Sequence, residues 1–153
     1  MMEVQQLELS GTVWWVAEDR FPYIHSAGPD RFTDLIGFMY RFQSRRMLDA
    51  ATVAIESVNS GEKEESVIGA DDFCVYFYAD HAPTGLKAVA ELLFLWEMDN
   101  FHVMPTSAFE RLINQLTQLR TTIEPSPITT CIYDVSSEYR RPYSVYEYDD
   151  EDD

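Results

Sequence analysis

Basic residues are scarce in this chain. Eleven Lys and Arg stand against 27 Asp and Glu in 153 residues, for a formal charge of −16 at pH 7. That deficit excludes a protein whose main work is to coat nucleic acid or an anionic membrane, since both tasks need a surplus of cations. Glycine is scarce too. The six glycines nowhere cluster, so no glycine-rich loop can cradle a phosphate and nucleotide binding is disfavoured. The two cysteines, Cys74 and Cys131, lie in apolar, strand-like runs and read as free buried thiols, with a bridge between neighbouring strands as the alternative. Neither has a His or a second Cys at metal-ligand spacing, so no zinc site is expected. Long apolar runs are missing. The most apolar stretch, Ala88 to Trp96, has nine residues and contains Glu91, too short to span a bilayer. No basic residue precedes Arg20, whereas Glu3 and Glu8 do, the wrong charge for a secretory or mitochondrial leader. The expectation is a soluble, cytoplasmic protein with no membrane partner.

What the chain does have is apolar and aromatic bulk. Hydrophobic residues make up 46% and aromatics 14%, which excludes a wholly disordered protein. A chain of this length can hide roughly 70% of its unfolded surface in one core, without help from a metal or a disulfide.

Periodicity places the elements. Val4 to Leu9 alternates imperfectly and Thr12 to Val16 is β-branched and aromatic, which predicts one or two strands with a turn at Ser10-Gly11. Glu18 to Pro29 reads mostly as loop, with a short extended piece at Phe21 to His25. From Pro29-Asp30, Phe32, Leu35, Ile36, Met39 and Phe42 recur at helical spacing, and Met47, Ala51, Ala54, Ile55 and Val58 continue the phase loosely. One long helix or two broken near Gln43-Ser44 would fit, stopped at Asn59-Ser60-Gly61. Glu62 to Glu65 reads as a solvated loop and Phe73 to Ala79 as a central strand. Leu86 to Met98 suggests an interior helix, apolar most of the way round, with a strand at Leu92 to Trp96 as the alternative. Ser107 and Glu110 have capping-box spacing ahead of the stripe Phe109, Leu112, Ile113, Leu116, Leu119. Pro125 and Pro127 then end the helix, and Ile128 to Val135 is a last strand. The order implies a single α+β domain over residues 1–138, with a small mixed or antiparallel sheet of about four or five strands covered by three or four helices.

Residues 139–153 form a Tyr-rich acidic tail. Tyr139, Tyr143, Tyr146 and Tyr148 are interleaved with carboxylates, and six of the last seven residues, Glu147 to Asp153, are acidic. Without those six, twenty-one acidic residues still face eleven basic ones. Such a run keeps a protein soluble. It also suits a surface rich in Arg and Lys, whose cations can stack on tyrosine rings while carboxylates take the charge. On that reading Tyr143, Tyr146, Glu147, Tyr148, Asp149, Asp150 and Glu151, with Asp71 and Asp72 in the body, are the candidate partner-binding residues.

Catalytic signatures are missing. His25, His81 and His102 read as surface or turn histidines, although Asp80 neighbours His81 and Asp99 lies near His102. No HExxH, Ser-His-Asp or GxSxG pattern occurs, and no cofactor is called for. Asp71-Asp72, Glu18-Asp19 and Glu97/Asp99 lack the spaced Asp/Asn-Gly loop of a calcium site. The basic cluster Arg41, Arg45 and Arg46, with Arg41 and Arg45 at i, i+4, reads as intramolecular pairing with the surplus of acids or as a small anion site. The expectation is therefore not an enzyme but an acidic, stoichiometric inhibitor of a basic protein, of the immunity type that blocks a toxin or nuclease. A nucleic-acid mimic that blocks a restriction or defence complex is one alternative. A small enzyme or ligand-binding domain charged only for solubility is the other.

Overall fold

A computed structural model describes residues 5–18, 21–42, 44–70, 72–80, 82, 85–94 and 101–134. Among them seven strands make one antiparallel sheet: β1 (Gln6–Glu18), β2 (Phe21–Ala27), β3 (Glu65–Ala70), β4 (Phe73–Tyr78), β5 (Val89–Phe94), β6 (Phe101–Pro105) and β7 (Ser126–Tyr133). Three helices, α1 (Asp30–Met39), α2 (Arg45–Asn59) and α3 (Thr106–Gln118), join it in a single α+β fold. Across the sheet the order is β2-β1-β7-β6-β5-β4-β3. The link from β2 to β3 therefore runs from one edge to the other, roughly 29 Å at about 4.8 Å per strand spacing. Two helices in series cover that span and lie across the sheet on the way.

The helical stripes pack as their spacing predicts. Phe32, Leu35, Ile36 and Met39 of α1, Ala51, Ala54, Ile55 and Val58 of α2, and Phe109, Leu112, Ile113 and Leu116 of α3 are all buried. They meet Leu9, Val13, Phe73, Val75, Phe77, Ala90, Leu92, Met104, Ile128 and Ile132, which face one side of the sheet, in one core. Six phenylalanines stitch the layers edge to face. Phe38 meets Phe73 at 5.5 Å and Phe94 at 4.8 Å between centroids, Phe42 meets Phe109 at 5.4 Å, and Phe109 meets Phe77 at 5.3 Å. Each such pair adds about 0.5–1.5 kcal/mol beyond the area it buries. The helix breaks between α1 and α2, where a 3-10 turn spans Tyr40–Phe42 and the Ser44 side chain accepts a hydrogen bond from the Met47 amide. Arg41 and Arg45 consequently do not share a helix face.

Several sequence expectations are corrected. The sheet has seven strands rather than four or five. Val89–Phe94 is strand β5 and not an interior helix, because both of its faces are covered and a strand buried on both sides loses its alternation. Residues 65–70 and 101–105 are strands that the periodicity did not announce, being six and five residues long. Residues 21–27 are a full strand rather than mostly loop. The capping box does not form. Helix α3 starts two residues earlier, with Pro105 instead of Ser107 at its N-cap and no side-chain cap. It also ends at Gln118, before the prolines, and Pro127 lies inside β7. The cysteines are free and stand on β4 and β7, strands that are not neighbours.

Gly11 marks no turn. It sits in the middle of one continuous strand, which pairs with β7 over Gln6–Val13 and with β2 over Thr12–Glu18. A Cβ there would stand 2.2 Å from the Ala27 carbonyl oxygen and 2.5 Å from the Phe32 ring. Gly11→Ala should therefore cost about 2 kcal/mol or more, as overpacking does. Gly37→Ala, on α1 with nothing within 4 Å of the added carbon, should add about 0.5–1 kcal/mol by helix propensity. Urea titrations of the two variants check the opposite signs. Equal midpoints would contradict the close approach.

Candidate partner-binding surface

Five carboxylates of the described residues come to one corner. Helix α2 ends at Asn59, and Gly61, at φ +84°, turns the chain back so that β3 runs alongside the helix. The amide of Lys63 donates to the Ser57 carbonyl at 3.0 Å and fixes that return. Glu62, Glu64 and Glu65 sit on this turn and at the start of β3. Glu65 pairs in register with Tyr78, and the Ala79 amide donates to the Glu64 carbonyl at 2.9 Å, which brings Asp80 to the same place. Glu56, exposed on the last turns of α2, completes a group of five carboxylates with Lys63 among them. The sequence shows these acids as a loop run and two distant singletons. Only the pairing of β3 with β4 joins them.

Two ion pairs form among the described residues, and both lie elsewhere. Arg31 meets Asp134 at 3.5 Å, and Arg41 meets Asp72 at 2.6 Å. The Arg41 guanidinium also lies over the Phe94 ring, 4.7 Å from its centroid. Asp72, a candidate partner residue, is thus half-buried and engaged with Arg41 at the β3–β4 turn. Asp71 lies outside the described residues, as do Tyr143, Tyr146, Glu147, Tyr148, Asp149, Asp150 and Glu151.

Beside the corner runs a groove of about 470 Å³ between α2 and β3, lined by Ala50, Val53, Ser57, Val67 and Ile68, with Arg46 and Asp49 on the helix side. Val53 is 65% exposed and Val67 48%. At the opposite edge Trp14, Tyr23 and His25 stack on the outer face of β1 and β2, with Trp14 and His25 5.7 Å apart and Tyr23 and His25 4.9 Å apart. A partly open, mostly apolar hollow beside Trp15, lined also by Met39, Ile113 and Arg120, measures about 10 Å³, room for one water.

Two ionisable groups inside the fold escaped the sequence reading. Glu91 of β5 is fully buried on the outer face of the sheet, between Tyr76 of β4 and Val103 of β6 in register. Around it Cys74, Tyr78, Val89, Leu93 and Phe101 form a second, smaller apolar cluster. The signal was a lone acid in the apolar run Val89–Phe94. His102 is not a surface histidine. It lies opposite Leu92 in β6 and is 3% exposed. Burial, and secondarily the positive charge of Arg31, push its pKa down from 6.5 to about 4.

Among the described residues no three of His, Cys, Asp and Glu come together to hold a metal ion, and no helix is long and apolar enough to cross a membrane. Comparison with known proteins returns no matching family model, no curated relative and no similar solved structure.

The depressed His102 pKa has a signed consequence. Below pH 6.5 the unfolded chain binds a proton there that the folded chain refuses until about pH 4. Stability contributed by the neutral imidazole is whole above 6.5 and drains as pH falls through that window, by up to roughly 3 kcal/mol. Urea unfolding at pH 7, 5.5 and 4.5 should show a steeper loss in the native chain than in His102→Gln, the carboxylates being common to both. Parallel curves would contradict a buried neutral imidazole.

Proposed function

We propose that this chain is an acidic, stoichiometric inhibitor that binds a basic protein, of the immunity type that covers the cationic cleft of a toxin or nuclease. The observation that carries the reading is where the acids go. A domain at −16 destabilises itself by self-repulsion unless the field has a use. Among the described residues, Glu56, Glu62, Glu64, Glu65 and Asp80 converge where α2 ends and β3 begins, away from the ion pairs of Arg31 with Asp134 and Arg41 with Asp72.

A compact acidic corner supports the immunity-type reading over a nucleic-acid mimic, which needs carboxylates ranked along one face at phosphate spacing. The tail would add Tyr143, Tyr146, Glu147, Tyr148, Asp149, Asp150 and Glu151 to the same interface by the arginine-stacking chemistry of interleaved tyrosines and carboxylates.

The full chain, immobilised and exposed to extract of its native host at low salt, should retain a cationic protein that salt releases. That protein's own activity should then be blocked at one-to-one stoichiometry. Removal of Glu147 to Asp153 should slow association several-fold, because rim charges act mainly on the on-rate. Retention of nothing, or of proteins that salt does not release, would contradict the reading. An on-rate unchanged by the truncation would take the tail out of the interface.

A further inference from the structure

We infer that the outer edge of β3, with the groove beneath α2, is a strand-addition site for an extended, cation-bearing segment of the partner. The inference deepens the reading of a basic protein partner and rests on it.

Among the described residues β3 closes one side of the sheet and pairs with β4 alone. An edge strand presents a row of backbone N–H and C=O groups that another chain can complete. Natural edges are guarded by proline, lysine, bulges or a covering element. The sequence of β3, Glu-Ser-Val-Ile-Gly-Ala, has neither proline nor lysine, and its six residues pair in unbroken register with Phe73–Tyr78. The other edge, β2, carries Pro22, which has no N–H to offer. Among the described residues proline guards the β2 edge, whereas β3 carries one charge, Glu65, at its start.

The groove gives the incoming strand somewhere to put side chains. Alternate residues of an added strand point to opposite faces. On one side they would meet Ile68, Ala50 and Val53 under α2, and on the other the exposed Val67. Six residues of extended chain span about 20 Å, the full length of the edge.

Charge selects the occupant. The start of β3 carries Glu62 and Glu64, with Glu56 and Asp80 beside them and Lys63 among them. A strand arriving there is favoured when the end that meets Glu62 and Glu64 holds Arg or Lys, and steered to it before contact. A second copy of this chain is disfavoured, because each copy brings −16 of its own.

The test uses the full chain and two synthetic octapeptides as probes, one alternating Arg with Val and the other alternating Glu with Val, followed by amide NMR and hydrogen exchange. The cationic peptide should shift and protect amides of Glu65 to Ala70, and the anionic one should not. Val67→Lys and Val53→Lys change exposed positions and leave the fold intact, as protection in α3 would verify. Each should abolish the effect on β3. Glu62→Gln with Glu64→Gln should weaken binding about fivefold. Cationic-peptide binding that protects other residues leaves the basic-partner reading standing and overturns the β3 site. Equal protection by both peptides, no binding by either, or a dimer of the free chain that Val67→Lys dissolves also overturns it.

Discussion

The structure depends on a sheet of aromatic contact between the helices and the strands. Phe38 comes from the end of α1, Phe42 from the turn that joins α1 to α2, Phe109 from α3, and Phe73 and Phe77 from β4. Their rings meet edge to face within 6 Å between centroids. This seam fixes three helices to one side of seven strands and supplies cohesion that does not depend on charge. A chain whose surface repels itself needs that kind of cohesion, because salt bridges at an exposed surface add little. Arg41 shows the same economy. Its guanidinium lies over Phe94 while it bonds Asp72, so one cation both lengthens the aromatic stack and secures the turn between β3 and β4.

That division of labour frees the acids. The core holds two ionisable side chains, Glu91 and His102, among its described members, and the histidine is held neutral by its burial and by Arg31. Acids outside it are placed by where the chain turns rather than by the need to pair. The corner at the end of α2 arises in this way. A helix must stop, reverse through Gly61 and enter β3, and the reversal is polar because it is solvated. The antiparallel pairing of β3 with β4 then carries Asp80 to the same end. The acidic corner and the unguarded strand edge thus share an origin in one piece of topology, the crossing from β2 to β3 over the whole width of the sheet.

The helices were legible because their burial is one-sided. Phe32, Leu35, Ile36 and Met39, and likewise Phe109, Leu112, Ile113 and Leu116, repeat with the helical period, and each stripe is buried as the spacing requires. The strands were harder for opposite reasons. Strand β5 is buried on both faces, so Val89–Phe94 shows no alternation and mimics an apolar helix. Strand β3 is short and half exposed, and its leading glutamates read as loop. Gly11 reads as a turn from its identity alone, and the Ala27 carbonyl and the ring of Phe32 against it explain a glycine in mid-strand. Candidate residues followed the same logic. Abundant acids are uninformative one by one, and the corner depends on a strand pairing that periodicity cannot supply. Asp72, singled out as a partner contact, turns out to be engaged within the fold by Arg41. Asp71 and the tail residues from Tyr143 to Glu151 lie outside the described residues.

One claim underlies the functional account: negative potential on this molecule captures a cationic macromolecule. Stopped-flow association of the full chain with the purified basic partner, measured between 20 and 500 mM salt, tests it most directly. Screening lengths shrink from roughly 20 Å to about 4 Å over that range, so the account predicts an association rate that falls by about a hundredfold or more while dissociation changes little. An association rate flat across the range would contradict it.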